Sequence, residues 1–399
     1  MITKSNLYKK AEIFLFFFTL SLFFPSCIMV ELFRPSSWKL LKMSFNEERT
    51  CKNQCLNFIY ENDRIYIPVA INGILDTFLL DMGYSSKIFW GYYGNDRPLP
   101  KTYKKPIKVA GGKTIYLSTS YDNYLFENKL VECKNCVGTS IFFPNLPPCK
   151  DPSYTKKSAG YSLLLAGYNR CLFLNFSDKE ICLYDSIQPD TTGYFRIKSS
   201  FESKQVFIYM TIDNIEYMFL FDTGCGGTLL IRRDKHIPVR DAEDTYIDGK
   251  FAENVKGAMI SDTTIIKKEQ IVYYTPTASK IIEDIYYADN ISKEYAYAGM
   301  EFISQFDWII DAKNKSVYAK PVKKETEKKE IIEMPRYFVT VSDNKLVVAS
   351  RNLNKNPVYP LGTIIESVNG ETITKENICK YYLILNTAIW DTLNVDVKF

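Results

Sequence analysis

The chain has 399 residues, room for two or three domains at roughly 100–200 residues each. Its 50 Lys and Arg stand against 46 Asp and Glu, a formal charge of +4, and 46% of its residues are hydrophobic. That balance excludes a nucleic-acid footprint, an acidic disordered tail and a low-complexity chain, while 29 Tyr and 26 Phe favour strands and a single histidine, His236, argues against a Ser-His-Asp triad or a multi-histidine metal site.

At the start, Lys4, Lys9 and Lys10 precede an apolar run from Ile13 to Phe24, followed by Pro25, Ser26 and Cys27. This is the order of an export signal. At about 1.5 Å per residue the run is too short for a hydrocarbon core of about 30 Å, although continuing through Ile28, Met29, Val30 and Phe33 would allow a membrane-spanning anchor. A cysteine placed directly after such a run resembles the lipid-attachment site of a bacterial lipoprotein signal. Residues 1–27 are therefore expected to be a signal, with Cys27 lipidated and the body exported to the cell envelope on a membrane tether. A plain signal anchor with an incidental thiol is the other reading. Residues 28–56 form an N-terminal extension without a readable pattern.

Residues 65–83 and 206–224 then align without a gap at an offset of 141, with identities at Ile67/Ile208, Ile71/Ile212, Ile74/Ile215, Phe78/Phe219, Leu79/Leu220, Asp81/Asp222 and Gly83/Gly224. Each copy predicts a hairpin: alternating apolar residues, a two-residue turn (Asn72-Gly73, Asp213-Asn214), and a second strand that becomes continuously apolar and hence buried. The Asp falls at the end of that strand. Glycine-bearing turns at 109–114 and 247–251 are candidate flaps over the region between the copies. A second element closes each copy. Ala166-Gly167 leads to a hairpin at 174–184, and Ala298-Gly299 leads, through a helix-like stretch at 300–305, to a hairpin at 309–318. Matching Asn175 to Asp311 gives an offset of 136, whereas Gly167 and Gly299 differ by 132, so the first copy is four residues shorter here.

Residues 323–334 are dense in mixed charge and predict a solvated linker. Beyond Pro335, strand-like runs at 337–341 and 345–349, the segment 361–373, a helix-like stretch at 376–385 and a last strand at 393–398 predict a small α+β domain over 335–399. The nine cysteines after Cys27 (Cys51, Cys55, Cys133, Cys136, Cys149, Cys171, Cys182, Cys225 and Cys379) are an odd number in a disulfide-permitting compartment. Cys51/Cys55 and Cys133/Cys136 have the number but not the spacing of a four-thiolate zinc site, so no metal is expected and the pairing stays open.

Residues 219–231, with Asp222, Thr223 and Gly224, resemble the apolar-apolar-Asp-Thr-Gly loop of retropepsin-like and pepsin-like aspartic proteases. Residues 78–88, with Asp81, Met82 and Gly83, are similar, and Met82 stands where the family has Thr or Ser. Gly167 and Gly299 resemble the family's glycines that pack behind the catalytic loops. The resemblance covers about residues 57–322 and, with the Ile-Ile-x-x-Val-Asn-Gly segment of a PDZ-like domain at 335–399, looks like a bacterial exported protease of two lobes followed by PDZ. It implies a mainly β fold: two retropepsin-like β-barrel lobes, 57–188 and 189–322, forming a pepsin-like bilobal unit, then the small α+β domain.

That resemblance further implies an aspartic-type endopeptidase without cofactor, acting on a peptide or protein substrate, in which Asp81 and Asp222 share one proton and activate a water. The expected partners are that substrate, a membrane through the lipid anchor, and a peptide or protein at the PDZ-like domain, with no nucleic acid. Thr223 can hydrogen-bond across to the opposite loop, whereas the thioether of Met82 cannot. The alternative is accordingly a degenerate envelope lipoprotein that binds extended peptides without cleaving them.

Overall fold

The computed structural model describes residues 48–61, 63–83, 88–92, 103–108, 114–143, 149, 170–185, 187–202, 205–233, 245–249, 252–253, 259–260, 263–274, 280–288, 295–322, 335–387 and 390–398. Cys27, Gly167, His236, the first candidate flap at 109–113, residues 250–251 of the second, and the linker 323–334 lie outside them. Among the described residues the chain is mainly β, and no helix there is long and apolar enough to cross a membrane.

Turn chemistry sets the two repeated hairpins. Arg64–Ile71 pairs antiparallel with Ile74–Leu79, and Gln205–Ile212 with Ile215–Phe221. The connecting residues take the left-handed backbone that a two-residue turn needs, with φ of 51° and 79° at Asn72 and Gly73 and 49° and 62° at Asp213 and Asn214. The second strands become buried as they approach the aspartates. Phe78 and Leu80, and Phe219, Leu220 and Phe221, are buried, whereas Leu75 and Ile215 near the turns are exposed.

The duplication extends to the pairing register. In the six-stranded sheet the order is Phe195–Ile197, Ser316–Pro321, Phe306–Asp311, Arg170–Asn175, Glu180–Asp185 and Gln54–Asn57. Read from either end, this is the same succession of repeat counterparts. The central strands pair so that Phe173 lies opposite Ile309, its own counterpart at the offset of 136. Beyond the first hairpin, Ile88–Tyr92 runs parallel to Val131–Phe143, and 141 residues later Leu229–Arg232 runs parallel to Lys280–Ala288. Both halves contribute to one hydrophobic core, which includes Ile67, Phe78, Leu80, Phe219, Phe221, Ala298 and Trp308.

The C-terminal residues build a separate cluster of Tyr337, Val339, Leu346, Val348, Ile365, Val368, Ile378, Tyr381, Leu385 and Trp390. Strands Tyr337–Ser342 and Lys345–Asn352 and helix Ile378–Thr387 frame it. Two links join this unit to the rest among the described residues. Ser350–Asn352 pairs with Ile247–Gly249, the described part of the second candidate flap, and Cys149 is disulfide-bonded to Cys379. A second disulfide joins Cys55, in the extension that carried no readable pattern, to Cys182.

Candidate active site

Each aspartate follows the buried end of its strand, and the strand before Asp222 is paired on both sides. Phe221 is fully buried and packs edge-on against Trp308 with ring centroids 4.9 Å apart. Strand Ala296–Ala298 lies parallel to the end of Ile215–Phe221, and the Asp222 N–H donates to the Ala298 carbonyl at 3.0 Å. Gly299 then passes directly behind the loop. Its N–H donates to Thr228 O at 2.7 Å, and a Cβ there would stand 2.9 Å from the Gly227 carbonyl carbon and 3.0 Å from Cys225 O, so only glycine fits.

The two aspartate loops face each other. A Cβ on Gly83 would stand 2.7 Å from Asp222 Oδ2 and closer still to the rest of that carboxyl, while a Cβ on Gly224 would stand 2.7 Å from Asp81 Cγ and 2.8 Å from both its oxygens. Each carboxyl thus lies over the glycine of the other loop. Asp81, Met82, Gly83, Asp222, Thr223 and Gly224 converge on one place although 141 residues separate the copies.

Thr223 laces the loops together. It is fully buried, its hydroxyl donates to Leu80 O at 2.6 Å and accepts from the Met82 N–H at 2.9 Å. Met82 therefore joins the link through its main chain, and its side chain, 1% exposed, belongs to the core. A thioether has no proton with which to return the bond, so the lacing is one-sided.

The carboxyl of Asp222 is pushed up to about 6, first by burial, against the lowering effects of the Gly224 N–H, the Arg64 charge and the Cys225 N–H. The residue keeps some surface, but its carboxyl is enclosed by protein, and removing an anion from water favours the protonated form. Gly224 N–H donates to Asp222 Oδ1 at 2.9 Å and fixes the carboxyl's orientation. Burial likewise pushes the neighbouring Cys225 thiol up to about 11, so it stays protonated at neutral pH.

Three supports escaped sequence reading. Arg64 and Gln205, the first residues of the repeated hairpins and counterparts at the offset of 141, each reach into the opposite copy. Gln205 Nε2 donates to Gly83 O at 2.5 Å, and the Arg64 guanidinium lies against Gly226. Behind the second loop, the Thr228 hydroxyl donates to buried Glu283 at 2.7 Å, and Gln305 Nε2 donates to the other Glu283 oxygen. The matched offset of Arg64 and Gln205 was a usable signal; Glu283 had none.

The only cluster of three metal-ligating groups among the described residues, Cys55, Glu180 and Cys182, has its two sulfurs joined in the disulfide. The same bond removes Cys55 from the four-thiolate arrangement weighed above. No family model matches this sequence, and a search of curated proteins finds no match.

Proposed function

We propose that the chain is an aspartic-type endopeptidase of the retropepsin-like and pepsin-like kind, with lobes at 57–188 and 189–322 and a PDZ-like domain at 335–399. The observation that carries this reading is the reciprocal seating of two carboxyls, Asp81 over Gly224 and Asp222 over Gly83, with one of them raised into the range where it holds a proton. Two carboxyls so placed share a proton. Protonated Asp222 donates a hydrogen bond to the peptide carbonyl, and ionised Asp81 draws a proton from the attacking water. The tetrahedral oxyanion is then held by the Asp222 proton, and proton return to the amine releases both products.

Export fits the two disulfides, which persist in oxidising compartments. Lipidation at Cys27 is part of the same proposal and rests on the lysine, apolar-run and cysteine order alone. In the PDZ-like domain, Asn386 accepts from the Val339 N–H at 2.9 Å and donates to its carbonyl at 3.1 Å. These are main-chain groups that strand addition at this edge would need, which favours a docking role for the domain over peptide capture.

Asp222→Asn and Asp81→Asn are each expected to abolish acid-favoured peptide cleavage, and a statine-type transition-state mimic to block it. Cleavage that survives both substitutions would reject the reading. Met82 favours the second reading, a peptide-binding protein without catalysis. Wild-type peptide binding without turnover, unchanged in Met82→Thr, would establish that one instead.

A further inference from the structure

We infer that Arg64 is a specificity-determining residue that selects an acidic side chain on one side of an extended peptide lying between the two aspartate loops. The inference rests on the peptide-cleft reading above and adds the chemistry of what enters. Three observations carry it.

The guanidinium occupies space beside the second aspartate loop that a side chain at Gly226 would otherwise fill. A Cβ on Gly226, four residues after Asp222, would stand 3.0 Å from Arg64 Cζ, 3.1 Å from Nη2 and closer still to Nη1. Both residues keep partial exposure. The cation is also underused. An arginine carries five N–H donors in a fork that matches a carboxylate, yet among the described residues its one hydrogen bond runs from Nη1 to the Asp63 carbonyl at 2.9 Å, and no carboxylate pairs with it. Its charge nonetheless reaches the reacting groups, lowering both Asp222 and Cys225.

The counterpart position makes the site one-sided. Gln205 is neutral, and its amide is engaged by the Gly83 carbonyl. A peptide crossing both loops therefore meets a cation beside one and a spent amide beside the other. A Glu or Asp side chain laid over Gly226 would form a charge-assisted, partly desolvated bond with the free edge of the guanidinium. The same side chain on the opposite flank would find no cation.

The experiment uses the full chain and a set of extended peptides in which one Glu or one Gln is moved through each position. Cleavage is read by mass spectrometry, and binding of the same fluorescein-labelled peptides to the Asp222→Asn protein by anisotropy. At one position, on one side only, Glu is expected to exceed Gln by about tenfold, with the ratio shrinking at high salt. Arg64→Gln should bring the ratio to unity, and Gly226→Ala, which displaces the guanidinium without removing it, should lower it in a protein with its charge intact. An unchanged ratio in both variants, or no preference at any position, overturns the inference. Cleavage without acid preference leaves the protease standing and removes this inference, whereas acid-selective binding without cleavage does the reverse.

Discussion

Replacing Thr223 by valine keeps the branched shape and deletes one hydroxyl. Two buried groups in the opposite loop then lose their partner at once, the Met82 N–H at 2.9 Å and the Leu80 carbonyl at 2.6 Å. An orphaned buried donor or acceptor costs about 1–3 kcal/mol, so the pair amounts to about 2–6 kcal/mol. Thr223→Ser keeps the hydroxyl and loses one methyl, for about 1 kcal/mol. Urea unfolding, read as a shift in midpoint at constant slope, should therefore rank wild type above serine above valine, with the last gap the larger. Native-state hydrogen exchange supplies the local readout, because the Met82 amide should lose protection in the valine variant and keep it in the serine variant. Equal stability of the two variants, with Met82 protection unchanged, would refute the claim that this hydroxyl holds the loops together.

The raised carboxyl of Asp222 sets a pH window. Its folded value of about 6 lies above the ordinary 3.8, so the stability it contributes is complete below pH 4 and is lost as pH rises through 6. Cleavage should decline over the same upper limb as the shared proton leaves, and Asp222→Asn should flatten the stability slope between these values. Gly83→Ala inserts a methyl within 2.7 Å of Asp222 Oδ2, and at least a hundredfold loss of cleavage is expected, since a displacement of about 1 Å at a reacting centre costs that much; near-normal turnover would contradict the seating described. Exchanging Cys55 and Cys182 together for serine opens a link spanning 127 residues and should cost about 3–5 kcal/mol by calorimetry. Gly249, at φ 119° and with space for a Cβ only 2.7 Å from Ser350 Cα, should not accept valine without undocking the C-terminal unit, seen as faster exchange at 350–352 while Tyr337 and Leu346 stay protected.

Much of this was legible because it is local and repeated. Alternating apolar residues around Asn72-Gly73 and Asp213-Asn214 specify hairpins by rules that need only a few neighbours, and the strands appear where those rules put them. Helix Met300–Ile303 and helix Ile378–Thr387 fall within two residues of the expected spans. What was not legible depends on distant partners. Nothing around Cys55 names Cys182, and Cys149 and Cys379 are 230 residues apart. Residues 48–57 lack an obvious pattern because their strands Glu48–Cys51 and Gln54–Asn57 are short and lie at sheet edges, where one flank has no strand to satisfy. Arg64 gains its significance from Gly226, which approaches it from the other copy. Glu283, amid a strand with Asp284 beside it, is buried by contacts with Thr228 and Gln305 that are distant in sequence.

The palindromic sheet has a bearing on how the two halves came to differ. Phe173 facing Ile309 is the contact that a self-associating unit would make with its twin about a two-fold axis, each residue meeting itself. In such a pair any substitution is written twice. Carrying both units on one polypeptide lifts that constraint: Thr223 can supply the lacing while Met82 fills the interior, and a cation can stand on one flank with an amide on the other. Asymmetry at the centre is a freedom that covalent joining makes available to an otherwise two-fold-related scaffold.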